Sequence, residues 1–206
     1  MICIIDYEMG NIRSVQRALE RAGGEVKLVS GPDELAGADK IVLPGVAAFE
    51  DAMIQLRSQE LLDPIIAAVR AGVPYLGFCL GLQLLFETSY ENGEHQGMGL
   101  LPGKVVRFDL DDCPSDPPLR VPHMGWNRIE WDRPCPMLEG IESGSHVYFA
   151  HSYCVVPDDE KMIATSTEYG YSFTSAVWKD NIFATQFHPE KSQSVGLRLL
   201  ENFVKM

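Results

Sequence analysis

The sequence predicts an α/β protein: a mostly parallel, doubly wound sheet with flanking helices and a strand-rich second half. Three observations carry that prediction. Up to about residue 86, short β-branched and apolar runs alternate with amphipathic stretches of helical length, the pattern of a parallel sheet covered on both faces. From residue 104 to residue 187 the chain changes character and reads as strands separated by turns. No repeat or low-complexity linker divides the two parts, so residues 1–206 read as a single domain with a strand-rich extension. A chain of 206 residues is long enough for one well-buried core and short for two.

Taken in order, residues 2–6 form the first expected strand and residues 11–22 the first helix. Strands follow at 26–29 and 40–43, helices around 48–57 and 61–71, and a strand at 73–78. The apolar run 80–86 is expected to open a helix. In the second half, strands are expected at 105–108, 127–131, 146–156, 162–166, 173–179 and 181–187, with a turn-rich, Pro-rich stretch at 113–122 and a closing helix around 194–204.

The chemistry begins at Gly77-Phe78-Cys79-Leu80-Gly81. A cysteine between two glycines, after a strand and before a helix, is the thiol version of the G-x-S-x-G nucleophile elbow. The turn places the sulfur at a helix N-terminus, where free N–H groups favour thiolate over thiol. An arbitrary cysteine in an apolar stretch is more often an inert core residue, and it is the two glycines with the strand-before, helix-after context that favour a reactive one. The second half of the signal is Phe187-His188-Pro189-Glu190 at the end of a strand. Proline biases the preceding histidine to an extended conformation, and residues two apart in an extended segment share a side, so Glu190 can orient the His188 ring. Cys79, His188 and Glu190 thus supply nucleophile, base and orienter for acyl transfer.

Two more segments belong with them. Leu43-Pro44-Gly45 ends a strand, and carboxyl ends of strands frame the ligand crevice of an α/β sheet. The backbone at or beside Gly45, together with the Leu80 N–H, is a candidate oxyanion site. His151-Ser152-Tyr153 is either a polar wall for a substrate or a plain strand edge.

Composition excludes some functions. A net charge of -12 without any Lys/Arg cluster argues against a nucleic-acid binder. The five cysteines lack C-x-x-C pairing and the close spacing of a disulfide scaffold, which fits a reducing compartment. His151 and Cys154 are three apart, but with no second pair nearby no metal is expected, nor any cofactor. Met1 leads directly into a strand and no run approaches a membrane span, so a cytoplasmic location is expected.

The segments GFCLGLQLLF, LPGVAAF and ATQFHPEKSQ resemble those of triad class I glutamine amidotransferases. More narrowly, DYEMGNIRSV, VPHMGWN, VYFAHSY and QFHPEKSQSVGLRLLENF resemble the family of glutaminase subunits of imidazole glycerol phosphate synthase, over nearly the whole chain. The resemblance implies hydrolysis of glutamine to glutamate, with ammonia passing to a (β/α)₈-barrel cyclase partner in histidine biosynthesis. It implies that Gln83 and the Ser152-Tyr153 backbone bind glutamine, and that Asn11, Ser14, Trp126, Tyr148 and Lys191 face the cyclase. One departure stands out: the family's oxyanion strand usually reads PGVG, where this chain has Pro44-Gly45-Val46-Ala47. Another enzyme of the fold, such as a stand-alone γ-glutamyl hydrolase or the glutaminase of a different synthase, would share the triad. A non-catalytic module would have no use for one.

Overall fold

In chain order the elements are β1 (Ile2–Ile5), α1 (Ile12–Arg21), β2 (Val26–Val29), the single turn α2 (Pro32–Leu35), β3 (Lys40–Leu43), α3 (Phe49–Ser58), α4 (Leu62–Arg70) and β4 (Tyr75–Phe78). The short α5 (Leu80–Gln83) is followed by β5 (Phe86–Ser89), β6 (His95–Gln96), β7 (Leu101–Arg107), β8 (His123–Ile129), β9 (Ser145–His151), β10 (Tyr153–Pro157), β11 (Ile163–Tyr169), β12 (Tyr171–Lys179), β13 (Ile182–Thr185) and α6 (Gln193–Lys205). The structure, a computed structural model, describes every residue except 112, 114 and 117. Residues 114 and 117 fall in the stretch expected to be turn-rich and lie outside the described residues.

Alternation along β1 sets the layering. Ile2 and Ile4 point to one side of the sheet, into a core shared with Ile12, Val15 and Leu19 of α1 and with Leu199, Leu200 and Phe203 of α6. Cys3 and Ile5 point to the other side, towards Phe49, Met53 and Leu56 of α3 and Ile65 and Val69 of α4. Helices therefore cover both faces of this part of the sheet, as the hydrophobic period predicts.

The main sheet runs β2-β1-β3-β4-β13-β12-β10-β7-β5-β6, with β11 paired to β12. Strands β2, β1, β3, β4 and β13 are mutually parallel, and β12 turns antiparallel to β13. The carboxyl ends of β1, β3, β4 and β13 consequently share one edge. The chain passes from β2 on one side of β1 to β3 on the other, the kind of switch point at which open α/β sheets bind ligands.

Two sequence expectations are corrected. The run 80–86 does not continue as a helix: α5 stops at Gln83, and Phe86 opens β5. The Leu84 and Leu85 carbonyls accept from Met98 and Leu100 instead, at 2.8 Å and 2.9 Å. A wholly buried apolar run carries no period, so tertiary pairing decides its conformation. The second correction concerns residues 146–156, expected as one strand. The chain breaks at Ser152 into β9, which pairs with β8 in a separate two-stranded ribbon, and β10, which joins the main sheet.

Candidate active site

Cys79 follows β4 directly and adopts φ 52°, ψ -102°, a backbone conformation that costs a residue with a Cβ on the order of 1–3 kcal/mol. The elbow is clamped on both sides. The Cys79 N–H donates to the Thr185 carbonyl of β13 at 2.7 Å, and the Cys79 carbonyl accepts from Leu82 at 3.1 Å. The flanking glycines do not carry the positive φ of the elbow, which belongs to Cys79 itself. They clear space: a Cβ on Gly81 would overlap the Leu43 carbonyl of β3, and one on Gly77 would press on the Gly81 backbone. Since α5 has only four residues, its aligned dipoles are few, and side chains must do most of the electrostatic work.

Those side chains come from the end of β13. His188 is extended, at φ -101° and ψ 97°, as the following proline predicts. Its N–H donates to the Tyr148 carbonyl at 2.9 Å, while Ser192 Oγ donates to the His188 carbonyl at 2.7 Å and accepts from the Tyr148 N–H at 3.0 Å. The imidazole Nδ1 lies 2.9 Å from Glu190 Oε1, with both side chains buried. Burial opposes charge on the ring. Hydrogen bonds to Cys79 and Glu190, reinforced by their negative charges, outweigh it and push His188 up to about 9. With Nδ1 held by Glu190, Nε2 is the nitrogen left for the thiol.

The cleft in front of Cys79 has a volume of about 590 Å³ and is walled by Val46, Ala47, Leu80, Gln83, Ser152 and Tyr153, among others. The break at Ser152 turns the backbone of residues 152 and 153 into that wall. Gln83 Nε2 donates to the Tyr153 carbonyl at 3.2 Å, which joins two predicted substrate residues directly. As the first residue of α5, Leu80 has no acceptor for its N–H within the helix. Gly45 stands behind the wall rather than on it, packed against Tyr7, whose hydroxyl donates to the Pro44 carbonyl at 2.9 Å. The neighbouring Val46 and Ala47 reach the cleft, and neither has a positive φ, so the Cβ of Ala47 is unstrained in this state.

The residues expected to face a partner divide between two places. Asn11 and Lys191 stand on the cleft wall, whereas Ser14 lines a neighbouring groove beside Pro189 and Glu190. Trp126 is 48 % exposed and meets the Tyr148 ring edge-on at 6.0 Å, and the Lys191 ammonium lies 5.6 Å from the centre of that ring. Met124 and Val46, also exposed, extend this apolar surface across the mouth of the cleft.

Sequence reasoning missed Glu91 and Gln186, and it did not foresee the hydrogen bonds of His151. Glu91 reaches the cleft from the turn after β5 and accepts from the Phe49 N–H at 2.8 Å, serving as the N-terminal cap that Ala48 cannot provide to α3. No local pattern announces it. Gln186 lies two residues before His188, so the alternation that paired His188 with Glu190 would have found it as well. His151 spends both ring nitrogens, one on His123 at 3.0 Å and one on the Tyr153 carbonyl at 2.8 Å, which leaves none for an ion shared with Cys154. Burial pushes His123 down to about 4 and His151 down to about 3, so both are neutral near pH 7.

A strained cysteine that shares a cleft with a histidine oriented by a buried carboxylate can attack an amide, and the histidine can protonate the departing amine. The comparisons with known proteins agree. The family model for class-I glutamine amidotransferases matches residues 3–206. The imidazole glycerol phosphate synthase subunit HisH of Syntrophotalea carbinolica is 54% identical over 206 residues, covering 100% of both chains, and that of Geobacter sulfurreducens is 49% identical over 100% of this chain and 98% of its own. Among solved structures, a glutamine amidotransferase superposes with a TM-score of 0.76 at 20% identity over 100% of both chains. PurLQS from Thermotoga maritima gives 0.75 at 20% identity, covering 99% of this chain and 97% of that one. The chain belongs to the class-I glutamine amidotransferase family and, within it, to the HisH subunits of imidazole glycerol phosphate synthase.

Proposed function

We propose that residues 1–206 form one glutaminase domain that hydrolyses glutamine on Cys79 and hands the ammonia to a cyclase subunit, for synthesis of imidazole glycerol phosphate in histidine biosynthesis. The observation that carries this reading is the geometry of Cys79 and His188 in a cleft bordered by the exposed apolar residues Val46 and Met124, with Glu190 holding the His188 ring from behind.

Cys79 thiolate attacks the side-chain carbonyl carbon of glutamine. The negative charge that develops on oxygen is met by backbone N–H groups, that of Leu80 and one from the strand end at Gly45 or Val46. His188, charged near neutral pH, gives its proton to the leaving nitrogen, and ammonia departs to leave a glutamyl thioester. The neutral ring then takes a proton from water, which attacks the thioester and releases glutamate. Glu190 keeps the proton on Nδ1 and stabilises the imidazolium. At the other end of the substrate, Gln83 and the backbone of residues 152 and 153 hold polar groups. The Glu91 carboxylate, on the cleft wall, suits an α-ammonium.

Ammonia protonated in bulk water is not a nucleophile, so a shielded route into a partner is required. The patch of Trp126, Tyr148 and Lys191, with Asn11 on the cleft wall and Ser14 beside it, is the surface for that partner. The test measures glutamate release by the chain alone and with a cyclase partner and its acceptor ribotide, for wild type and Cys79→Ala. Stimulation by the loaded partner, with glutamine-dependent synthesis lost and ammonia-dependent synthesis kept in Cys79→Ala, is expected. A chain equally active without any partner would point to a stand-alone hydrolase.

A further inference from the structure

Gln186 is fully buried, and its Nε2 lies 3.5 Å from Cys79 Sγ. A side-chain amide can present either end to a neighbour, so its polarity has to come from its surroundings. The Tyr153 carbonyl supplies that polarity. Because a carbonyl only accepts, the end of Gln83 that lies 3.2 Å away must be the NH₂ group. The same nitrogen meets Gln186 Oε1 at 3.3 Å, which turns the NH₂ of Gln186 to the sulfur. The Tyr153 carbonyl also accepts from His151 Nδ1, so His151 Nε2 accepts from His123 Nδ1, and His123 Nε2 accepts from Asn127 at 3.3 Å. Two buried chains of donors thus converge on a single backbone oxygen.

We propose that Gln186 is a further catalytic group, an N–H donor to Cys79 Sγ that stabilises the thiolate and fixes the sulfur before attack, its orientation enforced by Gln83 and the Tyr153 carbonyl. The inference rests on the reading of Cys79 as the nucleophile. An anionic sulfur accepts a hydrogen bond more strongly than a thiol, so the contact favours the charged form. Other titratable groups that face the sulfur are His188, backed by Glu190, and the Tyr7 hydroxyl. His188 gives up its proton during the reaction. Gln186 keeps its hydrogens throughout, and it stands behind the sulfur instead of on the cleft wall, meeting the glutamine site only through Gln83, which the Tyr153 carbonyl also holds.

The test follows alkylation of Cys79 by iodoacetamide between about pH 5 and about pH 10 in the full chain, located by peptide mass, for wild type, Gln186→Leu, Gln186→Glu and Cys79→Ser. Steady-state glutamine turnover is measured in the complex with the loaded cyclase. Gln186→Leu should slow alkylation at neutral pH about tenfold, a factor equivalent to about 1.4 kcal/mol, and raise its pH midpoint by about one unit. Turnover number should fall by a similar factor, and KM for glutamine should change by less, because the Tyr153 carbonyl still holds Gln83. Gln186→Glu still accepts from Gln83, so it preserves the packing if the leucine variant fails to fold. Its negative charge should raise the midpoint further. A folded variant of either kind whose alkylation profile overlays that of wild type overturns the proposal. Failure of the underlying reading looks different: label missing from Cys79 in wild type, or glutamine turnover surviving in Cys79→Ser, overturns both.

Discussion

Replacing Glu190 by glutamine removes a negative charge 2.9 Å from His188 Nδ1 while keeping the side chain's shape. His188 rises from 6.5 to about 9 in the fold, with burial acting against the shift and Cys79 and Glu190 acting for it. That rise corresponds to about 3 kcal/mol in favour of the imidazolium, an upper bound that the two partners share. Because the folded value lies above the unfolded one, the stability this site contributes is complete below about pH 6.5 and fades as pH climbs through about 9. In Glu190→Gln the neutral amide recovers only part of this bond. A hydrogen bond to a charged group contributes about 1.5–3 kcal/mol, so glutaminase turnover should drop by about 10- to 100-fold. The loss should be smaller than for His188→Asn, which removes the base. The assay is glutamate release by the complex with loaded cyclase across the pH range, paired with thermal unfolding at pH 6 and pH 9. In wild type the melting temperature should carry a component lost between those pH values, and in Glu190→Gln that component should shrink. A variant with wild-type turnover and an unchanged pH dependence of melting would refute the argument, as would a His188→Asn/Glu190→Gln double variant whose losses simply multiply.

Three further outcomes follow from the geometry. Cys79→Gly should be more stable than Cys79→Ala by about 1–3 kcal/mol in denaturant titrations, because glycine relieves the positive φ that alanine keeps, and both should be inactive. Ala47→Gly should leave basal hydrolysis unchanged, since Ala47 is unstrained in this state, and should raise the partner-stimulated rate if the strand end must rotate to complete the oxyanion site; steady-state rates alone and with loaded partner check this. His123→Leu should cost about 1–3 kcal/mol, because His151 Nε2 loses its donor in a buried site, and chemical denaturation should register it even though His123 lies outside the cleft.

How much of this was legible in the sequence depends on whether the cause is local. The positions of Cys79, His188 and Glu190 could be read because each depends on its neighbours: flanking glycines that leave room for a tight elbow, and a proline that keeps His188 extended beside Glu190. Short apolar runs such as residues 2–5, separated by amphipathic stretches of helical length, likewise pointed to a sheet covered on both faces, since a strand buried on both sides is apolar throughout. Residues 84–86 were not decidable in this way, because Leu84, Leu85 and Phe86 are apolar without a period and their carbonyls were claimed by residues 98–101. The break at Ser152 was equally invisible: residues 146–156 read as one strand, and only the parting of β9 to its ribbon from β10 to the main sheet turns the backbone into the cleft. Glu91 and the chain of donors from Asn127 through Tyr153 to Gln186 exist only by tertiary contact. Their hydrogen bonds span up to 107 positions in sequence, a separation at which no local pattern can pair a donor with its acceptor.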